Sequence, residues 1–158
     1  MNSKYRDIKI AYLGTPYTHP DLRVREKRTV LADQIAAELM MRGLAVFSPI
    51  THGHEVTDHL SETHRISHNF WMEQCLPMVR RSDIFIILPQ SGWRESRGLK
   101  DEIDCCREYG VPIFVYQDPA DIELELLDEE ELEFMNWKVI PDNVLDLTNF
   151  LDQPTGKL

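Results

Sequence analysis

The sequence has no long apolar run, so it predicts no membrane-spanning helix. None of its hydrophobic stretches approaches the ~20 residues that a membrane-spanning helix needs. The opening segment, MNSKYRDIKI, has no apolar stretch followed by a small-residue cleavage site, so it is not typical of a secretory signal. We therefore expect no membrane partner and a cytoplasmic location.

Cysteine is also scarce. The three cysteines, Cys75, Cys105 and Cys106, are odd in number, two of them are adjacent, and none belongs to a CxxC pair. Disulfides and a zinc knuckle are therefore disfavoured, and reduced thiols are expected.

Histidines are concentrated in one segment, since five of the six lie between residues 51 and 68. The pairs His52 with His54 and His64 with His68 meet metal-site spacing locally. Neither an HExxH motif nor a nearby cysteine pair accompanies them, so we expect no metal. A polar loop, or a ligand contact from His52 or His54, is the favoured interpretation.

A basic excess is absent as well. The chain carries 27 acidic and 17 basic side chains, a net charge of −10. Nine of the acidic residues lie between positions 118 and 133, so the remainder has 27 − 9 = 18 acidic and 17 basic residues. This balance argues against binding to polymeric nucleic acid, whereas a local pocket for a small anion stays possible.

Apolar runs alternate with helical patterns along the chain. Strands are predicted at 8–13, 44–50, 83–88 and 111–116, and helices at 21–42, 69–81, 99–109 and 118–134. Residues 51–68 are predicted to form a long polar loop, and Pro77 is expected to kink or shorten its helix.

Strands that are apolar throughout, rather than at alternate positions, indicate a sheet covered on both faces. The pattern predicts one α/β domain over residues 1–158, a doubly wound, Rossmann-like parallel sheet in three α/β/α layers. Residues 118–158 are expected to form an acidic helical extension.

Ligands of such sheets bind beyond the carboxyl ends of the strands, which here brings together the segments 14–20, 51–68 and 89–102. The first of them, in LGTPYTHP, has one glycine and is neither a GxGxxG dinucleotide motif nor a P-loop. The lack of a Ser/Thr/Gly-rich loop also disfavours a flavin-binding electron carrier. Gly14 and Tyr17 remain candidate binding residues, although the prolines of this turn equally suit a rigid connector.

The segment SGWRESRGLKDE, residues 91–102, combines a helix start with a carboxylate. Ser96 is a good N-cap, and Glu102 follows in the first helical turn or just after it. Free backbone N–H groups at a helix start suit an anion. Capping alone also explains these residue types.

Three segments, AYLGTPYTHP, LAVFSPITHGH and GWRESRGLKDEIDCCREYGVPIFVY, resemble the nucleoside 2-deoxyribosyltransferase-like superfamily, in particular a bacterial and phage branch with a GWxxSxG…Glu motif. The resemblance covers residues 8–117. It implies a flavodoxin-like sheet, assembly as homo-oligomers, and a glutamate nucleophile at Glu102. It implies no cofactor.

The position six residues before the nucleophile is an aspartate in the nucleoside transferases and a phosphate-contacting serine in the similar 2′-deoxynucleoside 5′-phosphate N-hydrolases. Here it is Ser96, followed by Arg97 and Gly98. A hydroxyl, a guanidinium and free N–H groups suit a phosphate dianion. The resemblance therefore implies a nucleoside monophosphate as substrate, with Tyr17 and His52 on the side of the base.

One residue departs from the family pattern. The aspartate that handles the base in relatives aligns with Cys75, and Glu73 is the nearest carboxyl that could replace it. A Glu102 nucleophile must be ionised, while burial raises a carboxyl pKa, so either a donor such as the hydroxyl of Tyr12 or Tyr17 or an incompletely closed pocket is required. A non-catalytic nucleotide-binding module on the same fold is the alternative, favoured by the missing acid.

Overall fold

Four parallel strands form the centre of the molecule. The structure, a computed structural model, describes residues 8–117 together with Glu130, Val139 and Ile140. The strands are β1 (Ile10–Gly14), β2 (Ala45–Phe47), β3 (Ile84–Ile87) and β4 (Ile113–Val115), and they are arranged in the order β2-β1-β3-β4. This order reverses between β1 and β3, and that reversal is the point where doubly wound sheets bind ligands.

Helices cover both faces of the sheet, so the predicted three-layer α/β architecture is confirmed. The helices are α1 (Leu22–Met41), α2 (Pro49–Thr57), α3 (Glu62–Arg65), α4 (His68–Arg81) and α5 (Arg97–Tyr109). Helix α1 packs on one face through Leu31, Ile35 and Leu39, and α4 and α5 pack on the other through Val79 and Leu99. Cys105 and Cys106 are buried, as their place in a sheet-packing helix predicts.

Short polar side chains start four of the five helices. The residues before α1, α2, α4 and α5 each accept a hydrogen bond from a backbone N–H of the first turn. These residues are Asp21, Ser48, Ser67 and Ser96. Gly110 ends α5 in the left-handed conformation that favours glycine.

The prediction of one polar loop over residues 51–68 was wrong. Ser48 caps α2, and Pro49 occupies its first position, where a missing N–H is no loss. The second strand therefore ends at Phe47, three residues earlier than predicted. The Ser-Pro pair was the signal for this helix start.

Of the two effects expected of Pro77, a kink or an early end of its helix, the early end was wrong. Helix α4 runs through it to Arg81, whose side chain donates to the Pro77 carbonyl at 2.9 Å. The helix is anchored on both sides of the proline by Cys75 and Val79, which are buried against the sheet. This packing outweighs the one backbone hydrogen bond that proline removes.

Ile140, which lies 25 residues beyond the end of β4, contacts the core. Ile140 is buried and forms a parallel bridge with Gln90, just past the end of β3. The predicted helix at 118–134 and the extension at 118–158 otherwise lie outside the described residues. Within the part of the chain that is described, no helix has the length and apolarity needed to cross a membrane.

Candidate active site

Glu102 is a buried carboxyl beside the reversal point of the sheet. It is the sixth residue of α5, in the second turn rather than the first, and its exposed fraction is 5%. Side chains of a helix lean toward its N-terminus, so the carboxyl points toward the carboxyl edge of the sheet. Glu102 is therefore enclosed by protein at the end of the sheet where a ligand is expected.

The hydroxyl of Tyr12 donates a hydrogen bond to the Glu102 carboxyl. Tyr12 is fully buried in the middle of β1, where its ring stacks on Phe85 at 5.1 Å and meets Phe47 at 5.7 Å. Contacts with β2 and β3 thus hold the Tyr12 ring in place, and the Tyr12 hydroxyl holds the Glu102 carboxyl in place. The requirement for a tyrosine donor is met by Tyr12 and not by Tyr17.

Burial raises the pKa of Glu102 to about 8, the Tyr12 hydrogen bond opposes this rise, and the charge of Asp101 adds to it. No ion pair among the described residues involves Glu102. The pKa of Tyr12 is raised well above its usual value, chiefly by burial, so Tyr12 stays a neutral donor. The carboxyl is consequently protonated in most free molecules at neutral pH.

Cys75, and not Glu73, faces this carboxyl from α4. The Cys75 thiol is buried, and its pKa is raised to about 11 by burial and by the charge of Glu102. Glu73 is exposed, because two residues along a helix are separated by about 200° around its axis. The structure does not bring Glu73 to Glu102, so a proton donor at Glu73 finds no support in it.

A second carboxyl lies next to the first one, at the seam between α4 and α5. Asp101 holds the Nε2 atom of His68 at 2.6 Å, and both side chains are partly exposed. His68 is the first residue of α4, at the carboxyl edge of the sheet. The four-residue spacing of His64 and His68 drew attention to a metal site, and nothing in the sequence indicated the partner on α5.

The predicted phosphate-binding residues surround the start of α5. The Ser96 hydroxyl caps the helix by accepting from the Leu99 N–H at 3.3 Å, and Arg97 is exposed. A Cβ atom at Gly98 would lie 3.5 Å from the Met72 side chain, an ordinary contact. Ser96 thus has a structural role of its own, and Arg97 is free to approach a ligand from solvent.

The other predicted binding residues differ in their surroundings. Tyr17 is half-buried, and its hydroxyl lies 2.8 Å from Nδ1 of His54 on α2. His52 is exposed, with its ring 6.0 Å from Phe47.

Gly14 serves packing at the end of β1. An added Cβ there would lie 2.4 Å from the Phe85 ring and 2.9 Å from Leu99, which is too close for any side chain. A larger residue would therefore force the Phe85 and Leu99 side chains to shift.

Arg28, a residue that sequence reasoning did not single out, ties two loops of the crevice together. Its buried guanidinium donates to the carbonyls of Thr18 at 3.0 Å and Ser91 at 2.7 Å. These carbonyls belong to the segments after β1 and β3. An arginine in an amphipathic helix gives no sequence signal for such a role.

Among the described residues, no group of three or more His, Cys, Asp or Glu side chains is arranged so that it could hold a metal ion. His64 contacts Ser61 at 2.6 Å, while His68 contacts Asp101, so the two histidines have separate partners.

Comparison with known proteins places the chain in a family. A search of curated proteins gave no match. A family model described as "Domain of unknown function (DUF1937)" matches residues 9–118, which is 110 of the 158 residues. The matched segment coincides with the four strands and both helical layers described above. The chain therefore belongs to the DUF1937 family.

Proposed function

We propose that this protein cleaves the N-glycosidic bond of a nucleoside 5′-monophosphate, with Glu102 as the nucleophile. The single observation that carries the proposal is the buried Glu102 carboxyl, held by the Tyr12 hydroxyl at the reversal point of the sheet. An ionisable group that is buried without a counter-charge is unusual in a protein core and typical of functional sites. The resemblance of residues 8–117 to nucleoside 2-deoxyribosyltransferase-like proteins supports the same residue.

The reaction follows the chemistry of retaining glycosidases. An oxygen of ionised Glu102 bonds to C1′ while the bond from C1′ to the base nitrogen breaks, through an oxocarbenium-like transition state. Water or a second base then attacks C1′ and releases Glu102. No metal or organic cofactor takes part in the proposed steps.

The start of α5 supports a phosphorylated substrate. Arg97 is exposed at the first position of a 13-residue helix, whose free N–H groups and dipole favour an anion. Ser96 precedes it, and Tyr17, after β1, contacts His54 on α2 and offers an aromatic ring on which a base can stack. The substrate class is therefore a nucleotide rather than a nucleoside.

A second candidate, a nucleotide-binding module without catalysis, is favoured by two observations. The pKa of Glu102 is raised to about 8, so the ionised form is a minority of the free protein at pH 7. Cys75, with a pKa of about 11, occupies the place of a general acid and is a poor proton donor.

Incubation with a panel of ribo- and deoxyribonucleoside 5′-monophosphates distinguishes the enzyme from the non-catalytic binding module. We expect release of free base, detected by chromatography, and a loss of at least about a thousandfold in Glu102→Gln. Glu108→Gln, an exposed glutamate on the same helix, is the matched control and should retain full activity. Tight binding of a nucleotide without base release supports the binding module instead.

The proposal also includes a cellular location and an oligomeric assembly for the enzyme. The three free thiols suit the reducing cytoplasm, and the partners proposed are a nucleotide and further copies of the chain. Because a neighbouring copy completes the pocket in this proposal, we expect activity to be lost when dilution produces the monomer.

A further inference from the structure

The seam between α4 and α5 holds a histidine–carboxylate pair that the proposed reaction does not yet use. We propose that His68 is the general acid that protonates the leaving base, with Asp101 as the residue that positions its imidazole. This inference rests on the proposed function, because it supplies the proton that Glu102 chemistry needs. It replaces the acid that neither Glu73 nor Cys75 provides.

His68 lies on the face of α4 that covers Glu102. Positions 68, 72, 75 and 79 are spaced by four, three and four residues, so His68, Met72, Cys75 and Val79 form one stripe along the helix. Val79 is fully buried and Cys75 nearly so, Met72 packs partly buried against the same core, and the His68 side chain is 24% exposed. The stripe runs from the core to the carboxyl edge of the sheet, and His68 stands at its open end.

The hydrogen bond with Asp101 determines which nitrogen of His68 can exchange a proton with a substrate. An ionised carboxylate only accepts hydrogen bonds, so the Nε2 atom, 2.6 Å from the Asp101 oxygen, must carry the proton of that bond. Among the described residues, the Nδ1 atom of His68 has no hydrogen-bond partner. A carboxylate that holds one imidazole nitrogen leaves the other to exchange protons with a substrate.

The pair also lies next to the proposed nucleophile. Asp101 and Glu102 are consecutive in α5, and both side chains lean toward the helix start, where α4 begins as well. The charge of Asp101 acts on Glu102. A sugar whose C1′ faces Glu102 can therefore direct its base toward the open end of the stripe, where His68 stands.

In the proposed reaction, His68 donates the proton that the leaving base needs and then recovers a proton from water. The Nδ1–H of the imidazolium passes to the leaving nitrogen as the C1′–N bond breaks and the Glu102 oxygen bonds to C1′. Neutral His68 then takes a proton from water, whose oxygen bonds to C1′ while the ester bond to Glu102 breaks. Imidazolium and carboxylate are both regenerated, and the net change is hydrolysis.

The test compares two leaving groups of different basicity. One substrate is the nucleotide that the protein hydrolyses fastest, and the other is the 4-nitrophenyl glycoside 5-phosphate of the same sugar, whose phenolate leaves without a proton. We expect His68→Gln to lose about a hundredfold or more on the nucleotide and to keep the wild-type rate of nitrophenolate release in the first turnover, which precedes the attack of water that His68 also assists. Retained nitrophenolate release also shows that the variant is folded.

Two further variants sharpen the result. Asp101→Asn should lose activity on the nucleotide alone, and by less than His68→Gln, because it misplaces the imidazole without removing it. His64→Gln changes an exposed histidine one turn before α4 and should match the wild type on both substrates.

Equal losses of His68→Gln in the first turnover of both substrates would assign the pair to helix packing alone, and no loss on the nucleotide would also overturn the inference. These outcomes differ from failure of the proposed function. In that case the wild-type protein releases neither base nor nitrophenolate, and the role of His68 falls with it.

Discussion

Two tyrosine–glutamate pairs lie on opposite faces of the sheet, and they differ in how their carboxylates are compensated. On the α1 face, Glu38 accepts from the Tyr116 hydroxyl at 2.9 Å and forms an ion pair with Arg42 at 2.5 Å. On the α4 and α5 face, Glu102 has the Tyr12 hydroxyl and no cation within ion-pair distance among the described residues. The Glu38 side chain is 20% exposed, while Glu102 is buried.

The comparison distinguishes a carboxylate that local stability explains, Glu38, from one that it does not explain, Glu102. A carboxylate such as Glu38, with a cation and water nearby, needs no explanation beyond local stability. A buried carboxyl without a cation destabilises the folded state whenever it ionises, so a purely structural role would be better served by a neutral residue. This contrast supports the proposal that Glu102, on the α4 and α5 face, has a chemical role, while Glu38 on the α1 face has a structural one.

The largest effect expected from this contrast concerns stability against pH. The pKa of Glu102 is about 8 in the folded protein and ordinarily 4.5, so the folded state holds a proton that the unfolded state has lost between these values. The contribution of Glu102 to stability is then fully present below pH 4.5 and is lost as the pH rises through about 8. Glu102→Gln removes this loss and should gain on the order of 3–5 kcal/mol at pH 8 relative to pH 4, measured by urea unfolding.

Glu38→Gln is the matched change on the other face. It removes a partly exposed ion pair and a hydrogen bond, so it should lower stability slightly at neutral pH and should not gain with rising pH. A gain at pH 8 in Glu38→Gln, or none in Glu102→Gln, would remove the distinction between the two carboxylates.

A smaller effect concerns the two tyrosines. Tyr12→Phe deletes the donor that stabilises ionised Glu102, so the titration midpoint of this carboxyl should rise from about 8 to about 9 or higher. Carbon-13 NMR of glutamate labelled at the carboxyl carbon measures the midpoint directly. Tyr116→Phe should leave it unchanged, and an unchanged midpoint in Tyr12→Phe would show that the hydroxyl does not stabilise the carboxylate.

The architecture was predictable because its signals are local. Four continuous apolar runs, separated by helical patterns, specify parallel strands, and glycine or serine marks several helix ends. The segment 51–68 escaped this reasoning, since its polar composition hid a short helix that Ser48 and Pro49 begin.

The site was predictable only in part. Glu102 followed from its place after β3 and from the resemblance, whereas the packing of α4 against α5 decides which residues face it. A two-residue difference on α4 separates buried Cys75 from exposed Glu73, and sequence alone did not set that rotation. The contact between His68 and Asp101 joins positions 33 residues apart, a pairing that depends on tertiary packing.

The central claim is that Glu102 bonds covalently to the sugar, and mass spectrometry of the acid-quenched reaction tests it most directly. After rapid mixing with the best nucleotide substrate, the account predicts an added mass of one sugar phosphate on the peptide that contains Glu102, and no such mass in Glu102→Gln. Base release without any adduct, at a rate that Glu102→Gln shares, would contradict it.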